Sequence, residues 1–224
     1  MTNALLFNIA TLIYFIAMIA FIGYLAVRQE WLAKVANGIT LAGFVIHTAA
    51  MGLRWYESYQ IGIGRVPLTN LYESAVFFAW SVVLFYLVLV VKYNQPALGA
   101  FVVPFAFLTM NWAQLNYWPE PLRRMFGSIV AVLPPGKLQN VVGTMLLGTS
   151  DQIEPLLPPL QSNWLTYHVI TCFIGYGAFA VACGVSIMYL IRVHQEERGS
   201  TDGTSLGPIV RLFPATKVLD DINY

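Results

Sequence analysis

Charge is what this chain has least of. Twelve Lys and Arg and eleven Asp and Glu are spread over 224 residues, 10% of the total, where a soluble domain carries about 25%. A net charge of +1 gives no electrostatic basis for a nucleic-acid partner. Cysteine is nearly absent. Cys172 and Cys183 lie inside one apolar run at a spacing of eleven. That spacing fits no zinc, thioredoxin-type or haem-attachment pattern and reads as small apolar packing. Histidine occurs three times. No catalytic triad, phosphate loop, metal-spaced Cys/His cluster or carboxylate pair stands in the sequence. Instead 58% of the residues are hydrophobic, gathered into long runs, and the fold class they predict is an all-α polytopic membrane protein.

Five spans are predicted, at about 4–27, 35–53, 74–91, 97–117 and 164–191, making residues 1–192 a transmembrane helical domain. The first run lacks a basic leading region and a small-residue cleavage site, so it reads as a retained helix rather than a signal peptide. Arg28, Glu30 and Lys34 form a short polar connection. A loop follows Arg54, punctuated by Gly62, Gly64 and Pro67. Asn70 followed by Glu73 is a capping-box variant that starts the third span. The fourth contains Pro104, which is expected to kink it. Residues 118–160 form a long proline-rich connection whose apolar stretches, 125–133 and 138–147, are too short to span and look interfacial or re-entrant. Residues 193–224 form a polar tail able to lie on the membrane surface. Arg28, Lys34, Lys92, Arg192 and Arg198 fall at one end of the spans, against Arg54 and Arg65 at the other. The positive-inside rule then sets the N-terminus outside, the long connection on the outer side, and the tail in the cytoplasm.

The longest run holds the best candidate for chemistry. His168 lies one turn inside the outer end of the fifth span, beside Trp164 and Tyr167, and an ionisable residue there is a functional hypothesis by default. His47 lies about two turns below the outer end of the second span. Both are candidate axial ligands for haem iron. Arg54, seven residues above His47 on the same helix face, and Arg65 are candidate partners for haem carboxylates. Trp55, Tyr56, Tyr59, Trp164 and Tyr167 are candidates to wall a flat ligand. The ordinary readings stand beside these: an intramembrane His hydrogen-bonding a neighbouring helix, Arg54 ending a span, and aromatics forming an interfacial belt. His194, flanked by Gln195, Glu196 and Glu197, reads as a solvated residue near a helix C-terminus.

Two stretches carry a resemblance. RVPLTNLYESAVFFAWS, residues 65–81, preceded by Arg54-Trp55, and LQSNWLTYHVITCFIGYGAFAVACGVSIMYL, residues 160–190, resemble the CcsA or ResC family of cytochrome c biogenesis proteins over roughly residues 35–92 and 155–224. The resemblance implies haem b as bound cofactor or transported substrate, and a role in system II cytochrome c maturation, where haem is handed to apocytochrome c on the outer side of the membrane. It implies a CcsB/ResB-like membrane partner, a bacterial inner membrane or a thylakoid-type membrane, and a part in a cytochrome c synthase (haem lyase) complex. His168 matches the first of two outward-facing histidines that flank a W-G-x-x-W-x-W-D segment in such proteins, and His47 is a candidate for a second, membrane-embedded haem site. The tryptophan-rich segment, the second outward histidine and a downstream membrane histidine are absent; the chain stops at KVLDDINY, where they would follow. It therefore looks like the N-terminal half, as a split subunit, a truncated gene product or a fragment, and is not expected to be catalytically complete alone; another chain is one source of the other half. The alternatives are a non-enzymatic structural membrane subunit or transporter piece, or a b-type cytochrome anchor.

Overall fold

In a computed structural model of the chain, residues 2–115, 119–147, 152, 153, 155, 162–202, 207 and 209–223 are described. Every regular element among them is helical: α1 (Thr2–Val27), α2 (Glu30–Gln60), α3 (Leu71–Tyr93), a 3-10 turn (Pro96–Leu98), α4 (Gly99–Ala113), α5 (Glu120–Ala131), α6 (Lys137–Leu147), α7 (Asn163–Asp202), a second 3-10 turn (Val210–Leu212) and α8 (Thr216–Asn223). Five of these helical segments, α1, α2, α3, the first 3-10 turn with α4, and α7, are long and apolar enough to cross a membrane.

The bundle is built from heptad stripes. On α1 the buried residues include Asn3, Phe7, Ala10, Tyr14, Ala17, Phe21 and Tyr24, with Thr11 buried beside Ala10; on α2 they include Ala33, Ala36, Thr40, Gly43, His47, Ala50 and Arg54. Both stripes alternate steps of three and four, the spacing that keeps one seam facing a partner over many turns. Lipid tails are as apolar as leucine, so membrane helices associate through close packing rather than hydrophobic exclusion, which favours small residues in the seam. Large α1 rings fill the gaps those residues leave. A Cβ on Gly43 would stand 2.8 Å from Tyr14 Cε1, and one on Gly99, at the head of α4, 2.4 Å from Phe21 Cζ. α3 packs on α4, and α7 lies across α3 and α4. The last contact needs Gly177: a Cβ there would meet the Ser81 Cβ at 2.7 Å and the Ser81 backbone at 3.1 Å.

Several boundaries differ from the sequence reading. The connection after α1 is only Arg28 and Gln29, because α2 already begins at Glu30. α2 does not stop at 53; it continues through Arg54 to Gln60, and the backbone reverses after it with Gly62 at φ 77° and Gly64 at φ 62°. Such positive angles are cheap for glycine. α4 ends at Ala113 rather than near 117, and it stays one helix through Pro104. With its 3-10 lead-in it rises roughly 28 Å, about one hydrocarbon core. The stretches at 125–133 and 138–147 belong to α5 and α6, which pack on each other and are each too short to span. The expected start of the third span is found: Asn70 caps α3, with a complete capping box to Glu73.

The tail is not loose. α7 runs on to Asp202, and residues 209–223 fold back on its end. Arg192 donates to the carbonyls of Phe213 and Pro214, and Glu196 accepts from Arg192 and from Thr216. Val210, Phe213 and Leu219 are buried, with the Phe213 ring edge-on to Phe101 at 5.4 Å.

Candidate functional site

The alternation of spans brings one set of helix ends together: the start of α1, the end of α2, and the starts of α3 and α7. Asn3 reaches Glu57, Gln114 reaches Thr11, and Asn70 donates to the Gln152 carbonyl across the long connection. Every candidate site residue lies towards this end, but the structure distributes them over four separate settings.

Arg54 and Arg65 are spent on Glu73. Arg54 donates through Nε and Nη2 to Glu73 Oε1 at 3.0 and 2.9 Å. Arg65 Nη1 donates to Glu73 Oε2 at 2.8 Å, and the Thr69 and Asn70 backbone amides complete that oxygen. The three side chains are almost sealed, with Arg54 and Glu73 each 2% and Arg65 8% exposed, and the Arg54 guanidinium lies over the Tyr72 ring at 5.1 Å. The expectation that these arginines meet haem carboxylates therefore has to yield to an internal ion triad. The sequence reading assigned Glu73 to capping alone; one carboxylate in fact performs the cap and neutralises two cations. The signal was available in two arginines and one acid around a single tight loop.

His47 sits on the inward stripe of α2. Its Nδ1 is 3.1 Å from the Tyr14 hydroxyl, Phe7 approaches edge-on at 5.7 Å, and the residue is 0% exposed. Its Nε2 is buried with no hydrogen-bond partner among the described residues, so a donor atom is present, enclosed where rings of α1 cover the imidazole.

Trp55 lies on another face of α2. With Thr48, Met51, Trp80, Ile170 and Ile174 it lines an apolar groove of about 400 Å³ between α2, α3 and α7. Trp80 is stacked between Phe44 and Phe77, and its indole N–H donates to Thr48 Oγ1 at 2.9 Å.

His168 is the opposite of His47. It is exposed, on the first turns of α7, and among the described residues its ring nitrogens meet only the Cys172 thiol one turn on. Trp164, 83% exposed, and Tyr167 stand beside it with their rings edge to face. At 100° per residue, His168 is turned about 160° away from Ile170 and about 180° from Gly177, so it points away from both the groove and the bundle. Leu160 and Gln161 of the surrounding motif lie outside the described residues. The residues present fit an iron porphyrin on one side only. His168 offers an accessible imidazole with aromatic neighbours, but among the described residues no second axial ligand and no partner for the haem carboxylates faces the same way.

A helical protein with five segments long and apolar enough to cross a membrane, a buried ion triad and one exposed imidazole at the same end is, by class, a polytopic membrane protein. The chain belongs to the cytochrome c assembly protein family, whose model matches residues 68–221. It is similar to the cytochrome c biogenesis protein CcsA of Guillardia theta, 25% identical over 97% of this chain and 64% of that protein. It is also similar to CcsA of Synechocystis sp., 27% identical over 93% of this chain and 56% of that protein, and to CcsA of Prochlorococcus marinus, 30% identical over 77% and 44%. The chain thus spans about half to two thirds of the length of these relatives. No solved structure matches it.

Proposed function

We propose that this chain is a haem-handling membrane component of system II cytochrome c maturation, holding haem b through His168 and helping present it to apocytochrome c outside the membrane. The observation that carries the proposal is the position of His168: exposed, near an interfacial aromatic pair, at the helix end opposite Arg28, Lys34, Lys92 and Arg192. Arg211 and Lys217, in the tail folded onto the α7 end, add to the basic side, which supports a cytoplasmic tail and an outer His168. Neutral imidazole is a standard axial ligand for haem iron. Bound there, the group would supply the porphyrin whose vinyl groups become the thioether attachments of cytochrome c, and His168 would hold it at the outer end of the span. A CcsB/ResB-like partner and a tryptophan-rich segment of the kind such proteins carry would supply the second ligand and the carboxylate contacts, in a bacterial inner or thylakoid-type membrane. The haem lyase activity then belongs to the assembled complex.

His47 contributes to this reading by packing α1 against α2. A b-type cytochrome with one haem shared between His47 and His168 is disfavoured, because one ring is sealed between α1 and α2 and the other faces away from the bundle.

The test is purification of the chain with its membrane partners, followed by a pyridine haemochrome spectrum and a cytochrome c maturation assay. His168→Ala is expected to lose most of the haem and the maturation, while His47→Leu keeps haem as long as the fold survives. Unchanged haem and maturation in His168→Ala would favour a structural subunit instead.

A further inference from the structure

At the helix ends opposite His168 the fold leaves a polar cleft that the proposed haem site does not use. α1 reaches Val27 and α2 begins at Glu30, so Arg28 and Gln29 alone join them. The turn after α3, with Asn94 in a left-handed conformation at φ 52°, faces that joint. The cleft between them holds about 270 Å³, and its polar lining is Tyr24, Glu30, Lys34, Asn37, Asn94 and Gln95.

Several of these groups are built in and still unspent. Tyr24 is 6% exposed, and its hydroxyl makes no hydrogen bond among the described residues. A phenol that deeply set ordinarily finds a partner. The fully buried Tyr86 donates its hydroxyl to Asn37 Oδ1. That bond fixes the amide and leaves its N–H₂ as the part to be satisfied. Glu30 and Lys34 are exposed and one turn apart on α2. Glu followed four residues later by Lys is the favourable order for a helix ion pair. Here the two stay apart, and neither makes an ion pair among the described residues. Glu30 acts electrostatically on the Tyr24 hydroxyl, so acid and phenol share one space.

The cleft thus offers one cation and neutral N–H and O–H donors beside one carboxylate. A simple anion is repelled by Glu30, and a simple cation by Lys34. A ligand carrying a phosphate and a primary ammonium a few bonds apart satisfies both charges at once. Exposed Val27 and Trp31 stand at the same helix ends, an aliphatic and an indole of the kind that meet lipid at the membrane interface. We propose that this cleft binds the headgroup of an aminophospholipid. Lys34, Asn37 and Tyr24 donate to its phosphate, and Glu30 accepts from its ammonium. The acyl chains remain in the surrounding bilayer. The site depends on the chain spanning a membrane and not on haem.

The test uses the full chain in detergent, stripped of lipid, with binding read by native mass spectrometry. The probes are phosphatidylethanolamine, phosphatidylglycerol and phosphatidylcholine. The first is expected to bind about tenfold more tightly than the others, the scale of one charge-assisted hydrogen bond. Phosphatidylglycerol has no ammonium, and the ammonium of phosphatidylcholine has no N–H. Glu30→Gln should abolish the preference, and Lys34→Ala should weaken all three lipids. Lys92→Ala removes an exposed cation at the same end but outside the cleft and should change nothing. All three positions are exposed, so melting at the wild-type temperature will show that the variants are folded. Equal binding of the three lipids, a preference that survives Glu30→Gln, or a loss in Lys92→Ala as large as in Lys34→Ala overturns the site. Free phosphoethanolamine should displace the lipid only in large excess; displacement at equal concentration overturns the assignment to lipid. His168 enters none of these measurements, so the haem reading stands or falls on its own test.

Discussion

Replacing Glu73 by glutamine isolates the ion triad from everything else that residue does. Glutamine is isosteric and is itself accepted at the third position of a capping box, so the start of α3 is preserved and only the charge is removed. Two guanidiniums, Arg54 at 2% and Arg65 at 8% exposure, then face an amide that offers one acceptor oxygen and turns an N–H₂ towards one of them. Removing one partner of a buried ion pair costs about 3–5 kcal/mol, because the remaining charge is stranded without solvent. At about 2–4 °C per kcal/mol for a chain of this size, the unfolding midpoint should fall by roughly 6–20 °C. Helix circular dichroism during a thermal ramp in detergent reads this directly. The reasoning has a second arm. If stranded charge is the cause, replacing all three residues by methionine should restore most of the loss, since apolar residues of similar volume often substitute for a buried triad with little penalty. A Glu73→Gln midpoint within about 2 °C of wild type, or a triple variant as unstable as the single one, would refute the account. Glu120 is the internal control: it pairs with Arg123 and Arg124 at 3.6 and 3.4 Å while 65% exposed, so Glu120→Gln should leave the midpoint almost unmoved.

Three further outcomes follow from the packing. Gly177→Val drives a branched side chain into the Ser81 backbone and should destabilise the α3–α7 contact by about 1–3 kcal/mol, read as a lower midpoint and as haem loss with His168 intact. Arg192→Ala removes the donor held by the Phe213 and Pro214 carbonyls, so residues 209–223 should gain hydrogen exchange and protease sensitivity while the spans stay protected. His47→Leu keeps the volume but leaves the Tyr14 hydroxyl without its partner at 3.1 Å, at a cost of about 1–3 kcal/mol; a midpoint equal to wild type would contradict the assigned role.

The number of spans, the Asn70 start of α3 and the exposed position of His168 were legible in the sequence because each depends on local features: hydropathy, a cap signature, or nearness to a helix end. Two of the boundary differences share one cause. Arg54 and Arg192 each follow an apolar run, and each was read as its stop. In both cases the guanidinium is satisfied by residues far along the chain, Glu73 for one and the 213–214 carbonyls for the other, so the helix continues past it. A charge ends a span only if it has to find water, and hydropathy does not show where a distant carboxylate will sit. The inward face of α2 was partly visible, since His47 and Arg54 are seven residues apart. Reading that stripe as a ligand face rather than a packing seam missed the small residues, Ala36, Thr40, Gly43 and Ala50, that share it.

The same logic explains why one histidine is exposed at a helix end and the other is enclosed between α1 and α2. His168 and Gly177 are nine residues apart, about 180° around the helix. The glycine that lets α7 touch the Ser81 backbone therefore also aims the imidazole away from α3 and α4. Gly184, whose Cβ would stand 3.4 Å from the Phe101 carbonyl oxygen, lies some 160° from His168 and fixes the helix rotation a second time. A side chain that only filled space would gain nothing from being directed outward on a helix so firmly indexed at its back. A donor meant to meet a group held jointly with another polypeptide gains orientation, because the direction of its lone pair is set before the partner arrives. His47, on a seam where rings from α1 fill the gaps left by α2, has that rigidity without the opening.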